Sequence, residues 1–124
     1  LKKIIEMQIK KTGKLFSFCC MSPVIISKKS NYLNSFDKLG SDIGLLFQIA
    51  DDIIDYKGNA KIAGKKTKKD KKKGKATLIS LLGYKNTIKY SNKIKKNIFR
   101  KINYHGKKAD DLKNTINYII ERTK

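Results

Sequence analysis

Between Gly44 and Asp55 the sequence reads Gly-Leu-Leu-Phe-Gln-Ile-Ala-Asp-Asp-Ile-Ile-Asp, a run of helical length that is apolar on nearly every side and still carries three carboxylates. At about 100° of rotation per residue, Asp51 and Asp55 fall one turn apart on one face, with Gln48 a turn earlier and Asp52 to the side. A helix that is apolar nearly all round belongs inside a protein. Carboxylates inside a protein must be hydrogen-bonded, paired with cations or bound to metal. The cluster contains no His or Cys, and no loop wraps it. Oxygen-only ligation of that kind suits Mg²⁺ better than Zn²⁺ or Ca²⁺, because one or two carboxylates commonly hold Mg²⁺ while phosphate oxygens complete its shell.

An Asp-Asp-x-x-Asp spacing also occurs on solvated helices, where acidic residues serve solubility. Only ten residues of this chain are acidic against thirty basic ones, for a net charge of +20, so a solvated face would more naturally carry Lys. That excess of positive charge admits nucleic acid or an anionic membrane as a partner. Arg is the side chain that clamps phosphates in pairs and reads guanine, yet Arg100 and Arg122 are the only arginines in 124 residues. Lys, Ile and Asn are abundant together, which points to compositional drift rather than to specific nucleic-acid recognition. Cys19 and Cys20 are adjacent in an apolar run, where helical neighbours diverge too far for a mutual disulfide, so they are expected to be buried free thiols in a reducing compartment. No apolar segment reaches the length of a membrane span, and a cytoplasmic location is expected.

Apolar positions recur at helical spacing from Leu1 to Met21, interrupted by Lys11-Thr12-Gly13, where two poor helix formers predict a bend. Ser22-Pro23 is expected to end that element or begin the next. A second long helix is predicted from Asn34 to Tyr56, stopped by Lys57-Gly58-Asn59. The stretch from Gly58 to Lys75, dense in Lys, reads as a loop. A short helix over Ala76 to Leu82 closes at Gly83, and two amphipathic helices follow, Tyr84 to Ile102 and Lys108 to Arg122. Lone His105, beside Gly106, reads as a solvated surface residue. Strand patterns and repeats are missing, so the fold class is all-α.

Taken together, Lys11-Thr12-Gly13, Phe47-Gln48-x-x-Asp51-Asp52-x-x-Asp55, Ala63-Gly64-Lys65 with Asp70, Gly74-Lys75-Ala76-Thr77 and Tyr118-Ile-Ile-Glu-Arg122 resemble, in this order, the C-terminal half of the class I trans-isoprenyl diphosphate synthases. The bacterial farnesyl diphosphate synthase group is the most similar. The resemblance covers nearly the whole chain, and the ten-residue steps from Asp55 to Lys65 and from Lys65 to Lys75 add to its specificity.

The resemblance implies the C-terminal portion of an isoprenoid-synthase helical bundle. It also implies a prenyltransfer in which an allylic diphosphate ionises and the carbocation is attacked by isopentenyl diphosphate, giving farnesyl or geranylgeranyl diphosphate. On that reading Asp51 and Asp55 ligate Mg²⁺, and Asp52 serves the same cluster. Lys11, Lys65 and Lys75 face substrate diphosphate, while Thr12 and Gln48, with carbonyls freed by the bend, stabilise the carbocation. For Gln48 the plainer alternative is a core amide bonded to a neighbouring helix, and for Lys65 one more solvated lysine.

The family places a first Asp-rich motif and its paired arginines upstream of the Lys-Thr helix, and residues 1–124 contain neither. The chain is therefore expected to be a partial polyprenyl synthetase domain, inactive alone, with exposed apolar surface where neighbours are missing. The full-length protein is expected to be a homodimer. Two readings stand beside the enzyme: a Lys-rich helical module that binds nucleic acid or anionic membrane, and a non-catalytic subunit of a prenyl synthase.

Overall fold

The computed structural model describes residues 1–63 and 77–122, with side chains described outside 59–63. Every element among the described residues is helical. Helix α1 (Lys2–Gln8) passes through a π-helical turn (Ile9–Gly13) into α2 (Lys14–Ile26), and a 3₁₀ turn (Ser30–Tyr32) leads into the 31-residue α3 (Leu33–Ala63). Helices α4 (Leu78–Leu82), α5 (Tyr84–Ile102) and α6 (Asp110–Glu121) complete the order, with a 3₁₀ segment (Asn103–Ala109) before α6.

Helix α3 is the axis of the fold. Its apolar residues occur on all sides, and the structure uses each side: α2 and the π turn cover one flank, while α4, α5 and α6 cover the other. Leu46 and Ile49 are wholly buried and pack in one cluster with Leu78, Ile98 and Ile116 from the three C-terminal helices. Helices α5 and α6 each place Ile on one stripe and Lys or Asn on the other. Such helices need one partner, and α3 is that partner. Tyr84 at the start of α5 stacks on Tyr56 with centroids 5.3 Å apart, and Thr77 caps α4 in a reciprocal pair of 3.1 Å hydrogen bonds with Ser80.

Three expectations about boundaries are corrected. Pro23 does not end α2, which continues to Ile26; having no N–H, Pro23 leaves the Cys19 carbonyl without its usual helical donor. Helix α3 does not stop at Lys57-Gly58-Asn59 but runs on to Ala63. A mid-helix Gly costs about 1 kcal/mol, which the Tyr56–Tyr84 stack and the packed length of α3 outweigh. Gly58 to Ala63 is therefore helix rather than loop, and the remainder of the expected Lys-rich loop lies outside the described residues. Cys19 is exposed and Cys20 half-buried, so the pair is free, as expected, but not buried. His105 is exposed, edge-on to Tyr104.

The α2–α3 contact depends on two glycines one turn apart. A Cβ on Gly40 would lie 2.4 Å from the Phe16 carbonyl oxygen, and one on Gly44 would lie 2.6 Å from Gly13 Cα. Both clashes are with backbone, which cannot rotate away. Ser17 seals the same seam, wholly buried and donating its hydroxyl to Asp37. The outward side of α2 remains apolar, with Leu15, Phe18, Ile25 and Ile26 exposed, in line with the expected uncovered surface. Gly40→Ala is expected to destabilise the protein by about 2 kcal/mol or more, while Gly58→Ala, at an open position, is neutral or stabilising. Urea unfolding of the two variants checks this, and equal midpoints would contradict the close approach.

Candidate functional site

The π turn is what brings α1 and α3 into register. Widening the helix by one residue over Ile9–Gly13 turns Gln8, Lys11 and Thr12 towards α3, and π turns of this kind are frequent at functional sites. Thr12 Oγ1 donates to Gln48 Oε1 at 3.0 Å, and Gln48 Nε2 donates to Asp52 Oδ1 at 3.3 Å. Gln8, which is buried, donates through Nε2 to the other oxygen, Asp52 Oδ2, at 3.3 Å. Asp52 is thus held through both oxygens by two amides from different helices.

That arrangement departs from the helical-wheel expectation. Asp52, placed to the side, is the carboxylate that faces the π turn, whereas Asp51 turns away towards α6 and Asp55 is exposed. Asp51 Oδ1 accepts from Arg122 Nη2 at 2.6 Å, and the guanidinium carbon lies 4.3 Å from the centre of the Phe47 ring. Phe47 in turn packs at 5.4 Å against Phe16 of α2. Cation and rings therefore form a ladder from α6 across α3 to α2.

Burial pushes the Asp52 carboxyl above its ordinary value. The Gln48 hydrogen bond and the Lys11 charge pull it back, and Asp55 and Asp51 push it up again. Because the folded protein holds this proton more tightly than the unfolded chain, stability present at low pH is lost as pH rises through the folded pKa. In metal-free buffer Asp52→Asn, which cannot ionise, is expected to unfold at higher denaturant than the parent at pH about 7. The difference is expected to shrink as pH falls towards the ordinary carboxyl value of 3.8. Denaturation curves across that range measure it; a variant that loses stability at neutral pH and keeps the deficit in acid would oppose the assignment.

Among the described residues, no three of Asp, Glu, His and Cys converge closely enough to hold a metal ion by themselves. The donor set nevertheless suits a hard cation that keeps part of its water. All the groups are oxygens, and Gln8 Oε1, buried beside Asp52, has no hydrogen-bond partner. An orphaned buried carbonyl oxygen next to a carboxylate is where a water on such a cation would be received. Of the residues singled out from the sequence, the structure brings together Lys11, Thr12, Gln48 and Asp52, turns Asp51 to Arg122 and leaves Asp55 exposed. Lys65 and Lys75 lie outside the described residues. For Gln48 the core-amide alternative holds in its geometry, since the amide is buried and bonded to Thr12.

Sequence reasoning missed Gln8 and the Arg122–Asp51 pair. Gln8 stood three residues before the Lys-Thr motif in what read as an ordinary helical turn, and its bond to Asp52 spans 44 positions. Arg122 stood in a recognised C-terminal ending, but the pairing spans 71 positions, and nothing local signals it.

The sequence profile of the polyprenyl synthetase family matches residues 1–119. The chain belongs to that family. It is 30% identical to the farnesyl diphosphate synthase of Micrococcus luteus over 125 aligned residues, covering all of this chain and 43% of the relative. It is 32% identical to the geranylgeranyl diphosphate synthase of Cyanophora paradoxa, covering 98% of this chain and 41% of the relative. A shorter match, 44% identical over 68 residues, joins 54% of the chain to 15% of the decaprenyl-diphosphate synthase of Dictyostelium discoideum. The chain thus spans about two-fifths of the length of the two relatives it matches end to end. No solved structure matches it. The all-α bundle expected from the sequence agrees with the family and with the helices described. No helix among the described residues is long and apolar enough to cross a membrane.

Proposed function

We propose that this chain is the C-terminal wall of a trans-prenyltransferase site, condensing an allylic diphosphate with isopentenyl diphosphate. The observation that carries the reading is the network of Thr12, Gln48, Gln8 and Asp52, which fixes an Asp-rich face of α3 against the π turn that presents Lys11. The names of the relatives support farnesyl or geranylgeranyl diphosphate as the product class.

On this reading Asp51 and Asp55 hold Mg²⁺ on the exposed side of α3, and Asp52 receives its bound water. Bound there with diphosphate, Mg²⁺ would neutralise the negative charge that develops on the leaving group. Gln8 and Gln48 keep Asp52 from turning, so its oxygens meet the water on the incoming cation without reorganisation. Lys11, exposed beside Asp52, adds positive charge for the diphosphate, and Lys65 and Lys75 are proposed to do the same. Gln48 Oε1 has a second lone pair beyond the one that Thr12 engages, and with the Thr12 hydroxyl it offers negative dipole ends to an allylic cation. The working protein is proposed to be a cytoplasmic homodimer.

The first Asp-rich motif, which the family places opposite this wall, does not occur in its 124 residues. The chain alone is expected to give no turnover with dimethylallyl and isopentenyl diphosphates and Mg²⁺; a product peak above the enzyme-free control would overturn that expectation. Binding is the direct test of the wall. Asp51→Asn and Asp55→Asn are each expected to weaken the joint binding of Mg²⁺ and inorganic pyrophosphate at least about tenfold, while Asp111→Asn on α6 leaves it unchanged. Equal affinities in all three would remove the metal assignment.

A further inference from the structure

Arg122 is one of two arginines in a chain that otherwise uses Lys for positive charge, and its setting is unlike that of the exposed lysines. The side chain is 26% exposed, its Nη2 lies 2.6 Å from Asp51 Oδ1, and its guanidinium carbon lies over Phe47, 4.3 Å from the ring centre. Its Nε is buried without a partner, so the fork is only half engaged. Two separate contacts, a charged hydrogen bond and a ring, therefore aim this cation at one carboxylate oxygen. Arg100 shows the contrast: it is exposed and reaches only an Asn on its own helix, at 3.5 Å.

We propose that Arg122 is the resident counter-cation of Asp51, holding its Oδ1 and opposing by its charge a divalent ion that binds the same carboxylate, so that it yields when the ion loads. The proposal rests on the assignment of Asp51 as a metal ligand given above. Its physical basis is competition. Mg²⁺ requires oxygen ligands at about 2.0–2.1 Å in near-octahedral array, and a guanidinium hydrogen-bonded to the same carboxylate would sit within a few ångströms of the ion, with like charges opposed. The two cations thus compete for the charge of Asp51. Without metal, Arg122 spares a half-buried carboxylate from lying unpaired; with metal, the guanidinium swings free with Nη2 and Nε both available to an anion. The end of α6 is thereby coupled to the metal state of α3, through a contact between residues 71 positions apart.

The pair also explains why Arg rather than Lys stands at this position. An ammonium is a single point charge and cannot both sit over Phe47 and reach Asp51 with a separate donor, so a Lys here would hold the carboxylate less firmly.

A residue that merely propped up the fold would, on removal, leave metal affinity unchanged or weaken it; a competitor does the opposite. Mg²⁺ alone, without pyrophosphate, is titrated calorimetrically into the 124-residue chain and its Arg122→Gln and Arg122→Lys variants. Arg122→Gln is expected to bind Mg²⁺ about two- to fivefold more tightly, the size that a partly exposed ion pair would impose as a competitor, and Arg122→Lys to fall between it and the parent. Phe47→Leu, which removes the ring but keeps every charge, is a second variant that loosens the guanidinium and is expected to shift affinity the same way by a smaller factor. Equal or weaker Mg²⁺ binding by Arg122→Gln overturns the proposal. Absence of Mg²⁺ binding in the parent and in every variant would instead remove the metal assignment of Asp51, and the proposal with it.

Discussion

Everything at this site depends on how closely α3 approaches the π turn, and that distance is set where Gly44 meets Gly13. With hydrogen in place of a side chain on both, the two backbones touch, and a Cβ on Gly44 would come within 2.6 Å of Gly13 Cα. Thr12 and Gln8, short of reach for a wider gap, then meet Gln48 and Asp52 across the seam. Packing and site are one construction here: the seam that Gly40, Gly44 and Ser17 close is the seam along which the polar network forms.

The three carboxylates of the Asp-rich motif on α3 occupy three different environments. Asp52 is desolvated and tied down by amides, which raises its pKa but fixes its direction. Asp51 is paired with a guanidinium that is itself held on an aromatic ring. Asp55 is exposed to solvent. An isolated ionised carboxylate in an apolar interior would be prohibitive, and each of these avoids that state by a different route. The helix bears such a motif only because its polar arc opens on the surface while its other sides remain in the core with Leu46, Ile49 and Ile53.

How much of this was legible in the sequence varies with the range of the interaction. Helix α5 was readable to its ends, Tyr84–Ile102, because Gly83 opens it and a stripe of Ile94, Ile98 and Ile102 repeats at helical spacing. The disruption at Lys11-Thr12-Gly13 was readable from local propensity, though its form as a π turn was not. The end of α3 was misjudged because Gly58 is unfavourable only by local preference, and tertiary packing on Tyr84 outweighs it. Gln48 and the three Asp residues stood out because acidic and amide groups in an apolar helix are costly. Gln8 and Arg122 did not, because a Gln near a helix end and an Arg near a chain end are common in any sequence.

The sequence by itself determined the helical class seen in the described residues, a long central helix with carboxylates set among apolar residues and, through the resemblance of its motifs, the family whose profile matches residues 1–119. Those properties are local, written within one or two helical turns, so they survive without knowledge of the partners. Only the tertiary structure decided which way each carboxylate turns, that Gln8 joins Asp52, and that Arg122 claims Asp51. Such choices are made by contacts between residues 44 and 71 positions apart. Their energies exist only after two glycines have let the helices meet.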